Sequence, residues 1–401
     1  MATEEESVSK EMNKRLVLTG YGSLDKLQIL NRPIENPGKG QIRIKVETCG
    51  LNFSDIMIRQ GYCNIHPKLP CVLGCEVAGI IDAVGEEVNN FTVGMRVIGI
   101  CINHQGWSSW VNLDADLAFA MPEQMTFEEG AAIPMNYVIA YLLLFRLGGI
   151  QEGQTVLCHS AGGGVGFAVG QLCQKIPNIT LFGTSSASKH EAVKANGYSH
   201  VIDYRTQDYV QEIRKLAPDG IDLVLDSLGG IESKRNYDLT AVLGRHIIFG
   251  ASTSISGENR SIMKMAKMWW NNSNKIPIQL ATENKSIGGI NFSTVMQKYH
   301  GKFLTKAMQD ILLWYDEGVV KPNIDSVYAL EDYADAFQQL MQRKNIGKVL
   351  LSPSKAPAVN ISSAAASVID EPEEILEEDS DKKDENANIQ TPKETENDEN
   401  Q

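Results

Sequence analysis

No stretch of this 401-residue chain is apolar for the roughly 18–20 residues that a membrane-spanning helix needs, which argues against an integral membrane protein. Cysteine is sparse: seven thiols, an odd number at irregular spacing, do not make a disulfide framework and fit reduced thiols. Basic residues are outnumbered, 37 against 50 acidic, for a net charge of −13. Without a local basic patch such a chain is a poor ligand for nucleic acid, and none is expected as a partner. The start, Met1-Ala-Thr-Glu-Glu-Glu, is acidic, unlike a secretory signal or a transit peptide, so a cytoplasmic location is expected.

The charge is uneven. Ser354–Gln401 holds 14 acidic and 4 basic residues, and the preceding 353 residues carry only −3. This segment has too little apolar surface to offset its ordering entropy, and residues 354–401 are expected to form a disordered acidic tail.

The most informative stretch is Thr155–Gly170, TVLCHSAGGGVGFAVG. A short apolar run leads into small residues and then a helical pattern. The spacing Ala161-x-Gly163-x-x-Gly166 is a dinucleotide-binding fingerprint with alanine at the first glycine position. The turn must be tight, the backbone must approach a pyrophosphate, and the helix must pack close to its strand. Free N–H groups at the helix start then face the phosphates.

The surroundings alternate strand and helix. Strands are expected at Thr155–His159, Ile179–Thr184, His200–Asp203, Asp222–Asp226 and His246–Gly250, with helices through Gln174, over Lys189–Asn196 and over Tyr209–Leu216. This is a parallel, doubly wound α/β sheet, whose ligand binds at the carboxyl ends of the strands. NAD-binding chains place a carboxylate after the second strand. This chain has Thr184, Ser185 and Ser186, then Lys189, with Tyr204-Arg205 after the third strand. Hydroxyls and cations suit a 2′-phosphate, so NADP is preferred over NAD.

Residues 15 to about 125 read instead as short strands: Arg15–Leu18, Gln41–Thr48, Gly79–Val84, Arg96–Ile100 and Gly106–Val111. Two more, Ile324–Tyr328 and Gly347–Leu351, flank a helix at Leu330–Arg343 and return to this β-rich part, which makes the nucleotide domain an insertion. The cleft between the two would hold a small-molecule substrate. Trp107 and Trp110 suit either a cleft wall or the core.

These residues and their order resemble the zinc-independent quinone oxidoreductases of the medium-chain dehydrogenase/reductase superfamily. The matching segments include Gly50–Asp55 (GLNFSD), Gly74–Gly79 (GCEVAG), Gly94–Val97 (GMRV), Glu129–Ala132 (EGAA), Asp226–Gly230 (DSLGG) and Gly347–Val349 (GKV). Within that family the chain resembles the vesicle amine transport protein homologues, through Ser185–Ala192, Met268–Asn271, Lys321–Ser326 and Lys344–Leu351. The likeness runs from Asn13 to Pro353, 341 residues. It implies a Rossmann domain (138–320) inserted in a GroES-like β-rich domain (13–137, completed by 321–353).

The resemblance implies hydride transfer from NADPH to a quinone or an α,β-unsaturated carbonyl. It places Asn52, Asp55 and Tyr62 at the reacting end, although Asn52 and Asp55 also suit the cap of a helix starting near Ser54. It puts Gly164, Val165, Thr184, Ser185, Lys189 and Tyr204 on the phosphates, and Leu228, Phe249, Gly250 and Ala251 beside the nicotinamide. The zinc ligands of metal-dependent relatives fall on Asn52, Cys75 and Glu76, a poor donor set, and no metal is expected. Two departures from the family weigh against fast turnover: Tyr62-Cys63 displaces the usual tyrosine by one place, and Ile139 replaces a hydroxyl residue. A second reading is therefore an adaptor at vesicle or mitochondrial surfaces that keeps a nucleotide site, with Met263–Trp270 as a basic, Trp-bearing segment suited to a membrane interface. Ser286–Phe292 is expected as the last strand of the nucleotide sheet, with an open edge through which a homodimer forms.

Overall fold

A computed structural model describes residues 11–62, 67–254, 277–299 and 303–358. All of them lie in one compact unit, Met1–Ser363. Cys63 and the segment Met263–Trp270 lie outside the described residues, as does the expected tail beyond residue 358.

The β-rich part begins with β1 (Met12–Leu18), β2 (Leu27–Pro33), β3 (Gln41–Leu51), β4 (Cys71–Val72), β5 (Glu76–Val84), β6 (Arg96–Ile100), β7 (Trp110–Asp114) and β8 (Ala118–Ala120). The nucleotide part holds β9 (Thr155–Cys158), β10 (Thr180–Ser185), β11 (His200–Asp203), β12 (Ile221–Asp226), β13 (Thr240–Ile248) and β14 (Ser286–Gly289). The chain then closes with β15 (Ile324–Ala329) and β16 (Lys348–Ser352). The helices that matter here are α1 (Phe53–Arg59), α2 (Phe127–Ala132), α3 (Pro134–Tyr141), α4 (Gly164–Cys173), α5 (His190–Ala195), α6 (Tyr209–Leu216) and α7 (Ile231–Leu239).

The six strands β9–β14 form a parallel sheet in the order β11-β10-β9-β12-β13-β14. Strand order reverses between β9 and β12, and a doubly wound sheet opens its binding crevice at that point. The strands are nearly all apolar because helices cover both faces: Val156, Leu157, Cys158, Leu223, Val224 and Leu225 are fully buried. A seven-stranded sheet runs β15-β16-β3-β5-β6-β8, with β7 paired to β3. Its β15 and β16 come from the C-terminal segment, so the chain leaves this sheet, builds the nucleotide sheet and returns.

The return is held by one buried side chain. Gln171 of α4 accepts from the Tyr137 hydroxyl at 2.7 Å and from Lys321 N at 2.8 Å, and donates to the Lys321 carbonyl at 2.8 Å and Asn196 Oδ1 at 2.9 Å. One continuous apolar core crosses from Leu16 and Ile44 through Val138 and Leu172 to Leu223 and Leu351.

Some expectations shift. The strand placed at Gly106–Val111 starts at Trp110, because Trp107 is spent on the core: it is fully buried, its Nε1 donates to the Gly50 carbonyl at 3.0 Å, and its ring meets Phe337 edge-on. Trp110 bonds Asp82 at 2.9 Å under the ammonium of Lys45. Neither tryptophan is free to wall a cleft. The last strand of the nucleotide sheet stops at Gly289, and Phe292 opens a helix. Residues 354–358, at the start of the expected tail, contact the body: Ser354 Oγ bonds Glu47 at 3.2 Å, Lys355 bonds the Val327 carbonyl, and Ala358 N bonds Asp332 at 2.9 Å.

Candidate active site

The glycine turn sits at the switch point. Gly163 caps α4, and the N–H groups of Gly164, Val165 and Gly166 fall in the first helical turn, where they lack helical partners. A Cβ on Gly166 would come within 2.6 Å of the Ser160 and Ala161 carbonyl oxygens, so only glycine lets the helix approach its strand. Ala161, buried, donates its N–H to the Thr184 carbonyl at 3.0 Å and ties the turn to β10. The returning segment touches the same turn. Gly347 N donates to the Gly162 carbonyl at 3.0 Å, and Gly347 bridges Gly163.

Cations gather at the carboxyl end of β10. Lys189 lies over Gly162 and donates to the Asn345 carbonyl at 2.5 Å. Burial first, then the neighbouring Arg205 and Arg343 charges, draws its ammonium below the ordinary lysine range, with Asp325 opposing. Arg343, on the loop before β16, was not visible as a site residue in the sequence. Its guanidinium bonds the Ser252 carbonyl at 2.9 Å. Tyr204 is exposed beside Arg205. Ser185 is buried, with only a 3.4 Å bond to the Ser186 carbonyl. Thr184 differs from expectation: its hydroxyl faces His159 Nδ1 at 2.9 Å, while His159 Nε2 meets Asn236 Oδ1 at 2.7 Å. Asn236 Oδ1 can only accept, so Nε2 carries the proton and Nδ1 accepts from Thr184. The Thr184 hydroxyl is thus engaged by His159.

The far half is shaped by Asp226 at the end of β12. Burial opposes its ionisation, but bonds from His246, Ser233 and Gly229 hold its carboxyl far below the usual range. It accepts from Leu228 N at 2.8 Å and Gly229 N at 3.0 Å. Phe249 N bonds the Asp226 carbonyl at 2.9 Å, and Gly250 and Ala251 pack against Ser227 and Gly229. Leu228, Phe249, Gly250 and Ala251 thus line one wall, half-buried.

Sheet register brings the third group together. β16 runs antiparallel to β3, with Val349 opposite Leu51, and β3 pairs with β5, with Cys49 opposite Val77. Three neighbouring strands therefore deliver Lys348, Asn52 and Glu76 to one place. Asn52 Nδ2 donates to Glu76 Oε1 at 2.7 Å and lies 3.5 Å from Cys75 Sγ, while Lys348 Nζ donates to Asn52 Oδ1 at 2.6 Å and to Glu76. Glu76 Oε2 accepts Met135 N, near the start of α3, at 2.8 Å. Gly50 makes the room, since a Cβ there would strike Glu76.

Asn52 caps α1, and Asp55, fully buried, accepts the Asn52 N–H at 2.8 Å. The Asp55 carboxyl is pushed up to about 7 by burial, against the Asn52 N–H and Lys348. Tyr62 follows α1, half-buried on the core, outside this cluster's hydrogen bonds. Ile139 and Tyr141 sit on α3. The Tyr141 hydroxyl donates to Asp310 at 2.8 Å, and its ring packs on Phe145 and Trp314.

Comparison with known proteins follows this geometry. The alcohol dehydrogenase GroES-like domain matches residues 38–139, and a zinc-binding dehydrogenase domain matches residues 196–351. The rat synaptic vesicle membrane protein VAT-1 homolog is 43% identical over 341 residues, 84% of this chain and 83% of its own. The crystal structure of human VAT-1 homolog-like protein superposes with TM-score 0.75 at 37% identity, covering 87% of this chain and 100% of that one. Escherichia coli quinone oxidoreductase, solved with NADPH, superposes with TM-score 0.73 at 26% identity, covering 85% and 100%.

The zinc in that domain's description does not suit these residues. At the metal position an amide N–H and an ammonium already point at Glu76, where zinc would need electron pairs. Burial, then Asp55 and Glu76, also raises the Cys75 thiol well above its ordinary value, away from the thiolate zinc binds. Among the described residues no group of three or more His, Cys, Asp or Glu is placed to hold a metal. With its Rossmann strand order, its GroES-like sheet and these relatives, the chain belongs to the medium-chain dehydrogenase/reductase superfamily, among the VAT-1 homologues.

Proposed function

We propose that this protein is an NADP(H)-dependent, zinc-independent oxidoreductase acting on a quinone or an α,β-unsaturated carbonyl. The observation that carries the reading is the pairing of a cation cluster, Lys189, Arg205 and Arg343, with the open N-terminus of α4. A 2′-phosphate and a pyrophosphate need these two features. The bacterial relative solved with NADPH supports the same cofactor.

When bound, the reduced nicotinamide supplies a hydride to an electron-poor carbon. The chain's own residues do the rest. The first-turn N–H groups of α4 hold the pyrophosphate. Lys189, Arg205, Arg343, Ser185 and Tyr204 surround the 2′-phosphate. Leu228, Phe249, Gly250 and Ala251 pack against the nicotinamide half and exclude water. Asn52 offers an amide hydrogen at the reacting end. Asp55 holds a proton there near neutral pH; Oδ2 accepts the Asn52 N–H, so that proton resides on Oδ1.

NADPH consumption against a panel of quinones, enals and enones tests the reading. Turnover of one class with NADPH preferred over NADH supports it, and NADPH binding with no acceptor reduced overturns it. The names of the relatives favour a second reading, attachment to a vesicle membrane. Among the described residues no helix is long and apolar enough to cross a bilayer, so such attachment would be peripheral or through a partner. Co-sedimentation with anionic liposomes tests it.

A further inference from the structure

Lys348 is 3% exposed and Glu76 fully buried, and their ion pair sits one residue from the Gly347–Gly163 bridge. A shallow recess beside them is lined by Lys348, Gly347, Asn136 and Gly164. Buried ion pairs are costly, and an apolar pair of similar volume is often as stable or more so. Stability is therefore a weak reason for this one.

Its geometry gives a stronger reason. An amide side chain has a donor end and an acceptor end. Lys348 can only donate and carboxylate Glu76 can only accept. Asn52 meets both in the one orientation that satisfies both, with Oδ1 on Lys348 and Nδ2 on Glu76. Turned by 180°, it would set its NH₂ against an ammonium and its oxygen against a carboxylate. The second Nδ2 hydrogen is then held in a fixed direction by a 3.5 Å bond to Cys75 Sγ, a weak acceptor that a carbonyl oxygen would displace.

We propose that Lys348 is a positioning residue that, with Glu76, locks the Asn52 amide in one orientation so that it presents a single N–H to the nicotinamide end of the cofactor. The inference rests on the reading of Asn52 as a nicotinamide-side residue. The ammonium orients Asn52 from the place where metal-dependent relatives hold zinc. Gly50, by admitting Glu76 to the cluster, completes the device.

The test is the ratio of affinities for NADPH and 2′-phospho-ADP-ribose, which lacks the nicotinamide, measured by calorimetry on the full chain. Lys348→Met alone strands a buried carboxylate, so the informative variant is Lys348→Met with Glu76→Gln. That pair is neutral, and the introduced glutamine, its oxygen kept by the Met135 N–H, turns its NH₂ toward Asn52, so the wild-type orientation of Asn52 loses both of its partners. The double variant is expected to bind 2′-phospho-ADP-ribose as the wild type does and to lose about five- to tenfold in NADPH affinity, the worth of one hydrogen bond. An unchanged ratio in the folded double variant overturns the proposal. Lys348→Arg keeps a charge and donors for both partners. It must keep most of the wild-type ratio, and a loss as large as that expected of the double variant also overturns it. A wild-type protein with no preference for NADPH over the fragment removes the premise about Asn52, and the proposal falls with it. A wild-type preference without turnover of any acceptor sinks the reductase reading alone.

Discussion

Replacing Asp55 with asparagine should make the protein more stable at neutral pH, with a gain that grows from about pH 4 to about pH 7 and stays constant above it. Asp55 is fully buried on α1; Oδ2 accepts the Asn52 N–H, and Oδ1 has no hydrogen-bond partner. Burial pushes its carboxyl to about 7, while the unfolded chain titrates near the ordinary value of 3.8. A raised acid takes up a proton on folding. The stability held by the neutral form is therefore complete below about 3.8 and is lost as pH rises through about 7. With about 1.36 kcal/mol for each pH unit between the two values, the loss reaches about 4 kcal/mol in the limit. Asparagine is neutral throughout, and its oxygen can still accept the Asn52 N–H.

Melting temperatures of wild type and Asp55→Asn, measured without ligand from pH 5 to pH 8.5, should separate in favour of the variant as pH rises to about 7 and keep a constant gap above it. A chain larger than 250 residues shifts by less than about 2–4 °C per kcal/mol, so a gap of several degrees is expected by pH 8.5. Curves that are parallel or converge between pH 5 and pH 7 would refute the reasoning. If Asp55 also holds the proton used in turnover, the stabler variant should be the slower enzyme, as strained functional groups usually are.

Three further outcomes follow from the geometry. Lys189→Ala should weaken NADPH by roughly 1.5–3 kcal/mol, the worth of a charge-assisted bond, and leave NADH nearly unchanged; equal weakening of both in a fluorescence titration would remove the 2′-phosphate assignment. Gly166→Ala should destabilise by roughly 1–3 kcal/mol, because its Cβ would meet the Ser160 and Ala161 carbonyl oxygens at 2.6 Å, and a melting temperature within a degree of wild type would contradict that contact. Among the described residues β14 leaves one edge of the parallel sheet open, near Leu243, which is 79% exposed. Light scattering should give a dimer for wild type and a monomer for Ile287→Lys, an edge charge of the kind that blocks strand pairing, and a wild-type monomer at micromolar concentration would end the dimer proposal.

The nucleotide sheet was legible because its signals are local. His200–Asp203 and Tyr209–Leu216 lie where periodicity puts them, and the strand before the glycine turn differs by one residue. β13 was harder to read. It starts at Thr240, directly after α7, and carries a positive φ at Leu243, an irregularity that apolar alternation does not reveal. The β-rich part was legible as strands, but its pairings depend on contacts far apart in sequence. Nothing near Lys348 says that β16 will lie beside β3, about 300 residues earlier. Arg343 was hidden for the same reason: it joins Lys189 only because the loop before β16 crosses to the nucleotide turn. Thr184 shows the opposite limit. Its type and place suit a phosphate contact, and only the position of His159, buried behind it, turns the hydroxyl inward.

The Asn52–Glu76–Lys348 cluster also bears on which chemistry the fold can support. A zinc ion brings two positive charges and an open coordination position, enough to lower the pKa of a bound water from 15.7 to about 7. An ammonium beside a carboxylate brings no net charge and no open position. It can hold an amide still, but it cannot draw a proton from an alcohol. The same site therefore suits acceptors that are electron-poor before they bind. For a quinone or an enone the chain needs to supply orientation, a hydrogen-bond donor and a proton. On the proposed reading Asn52, fixed by its two charged neighbours, supplies the donor, and Asp55, protonated below about pH 7, the proton. The folding cost of a buried carboxyl and a buried ion pair is then concentrated beside the dinucleotide turn, where function and not stability accounts for it.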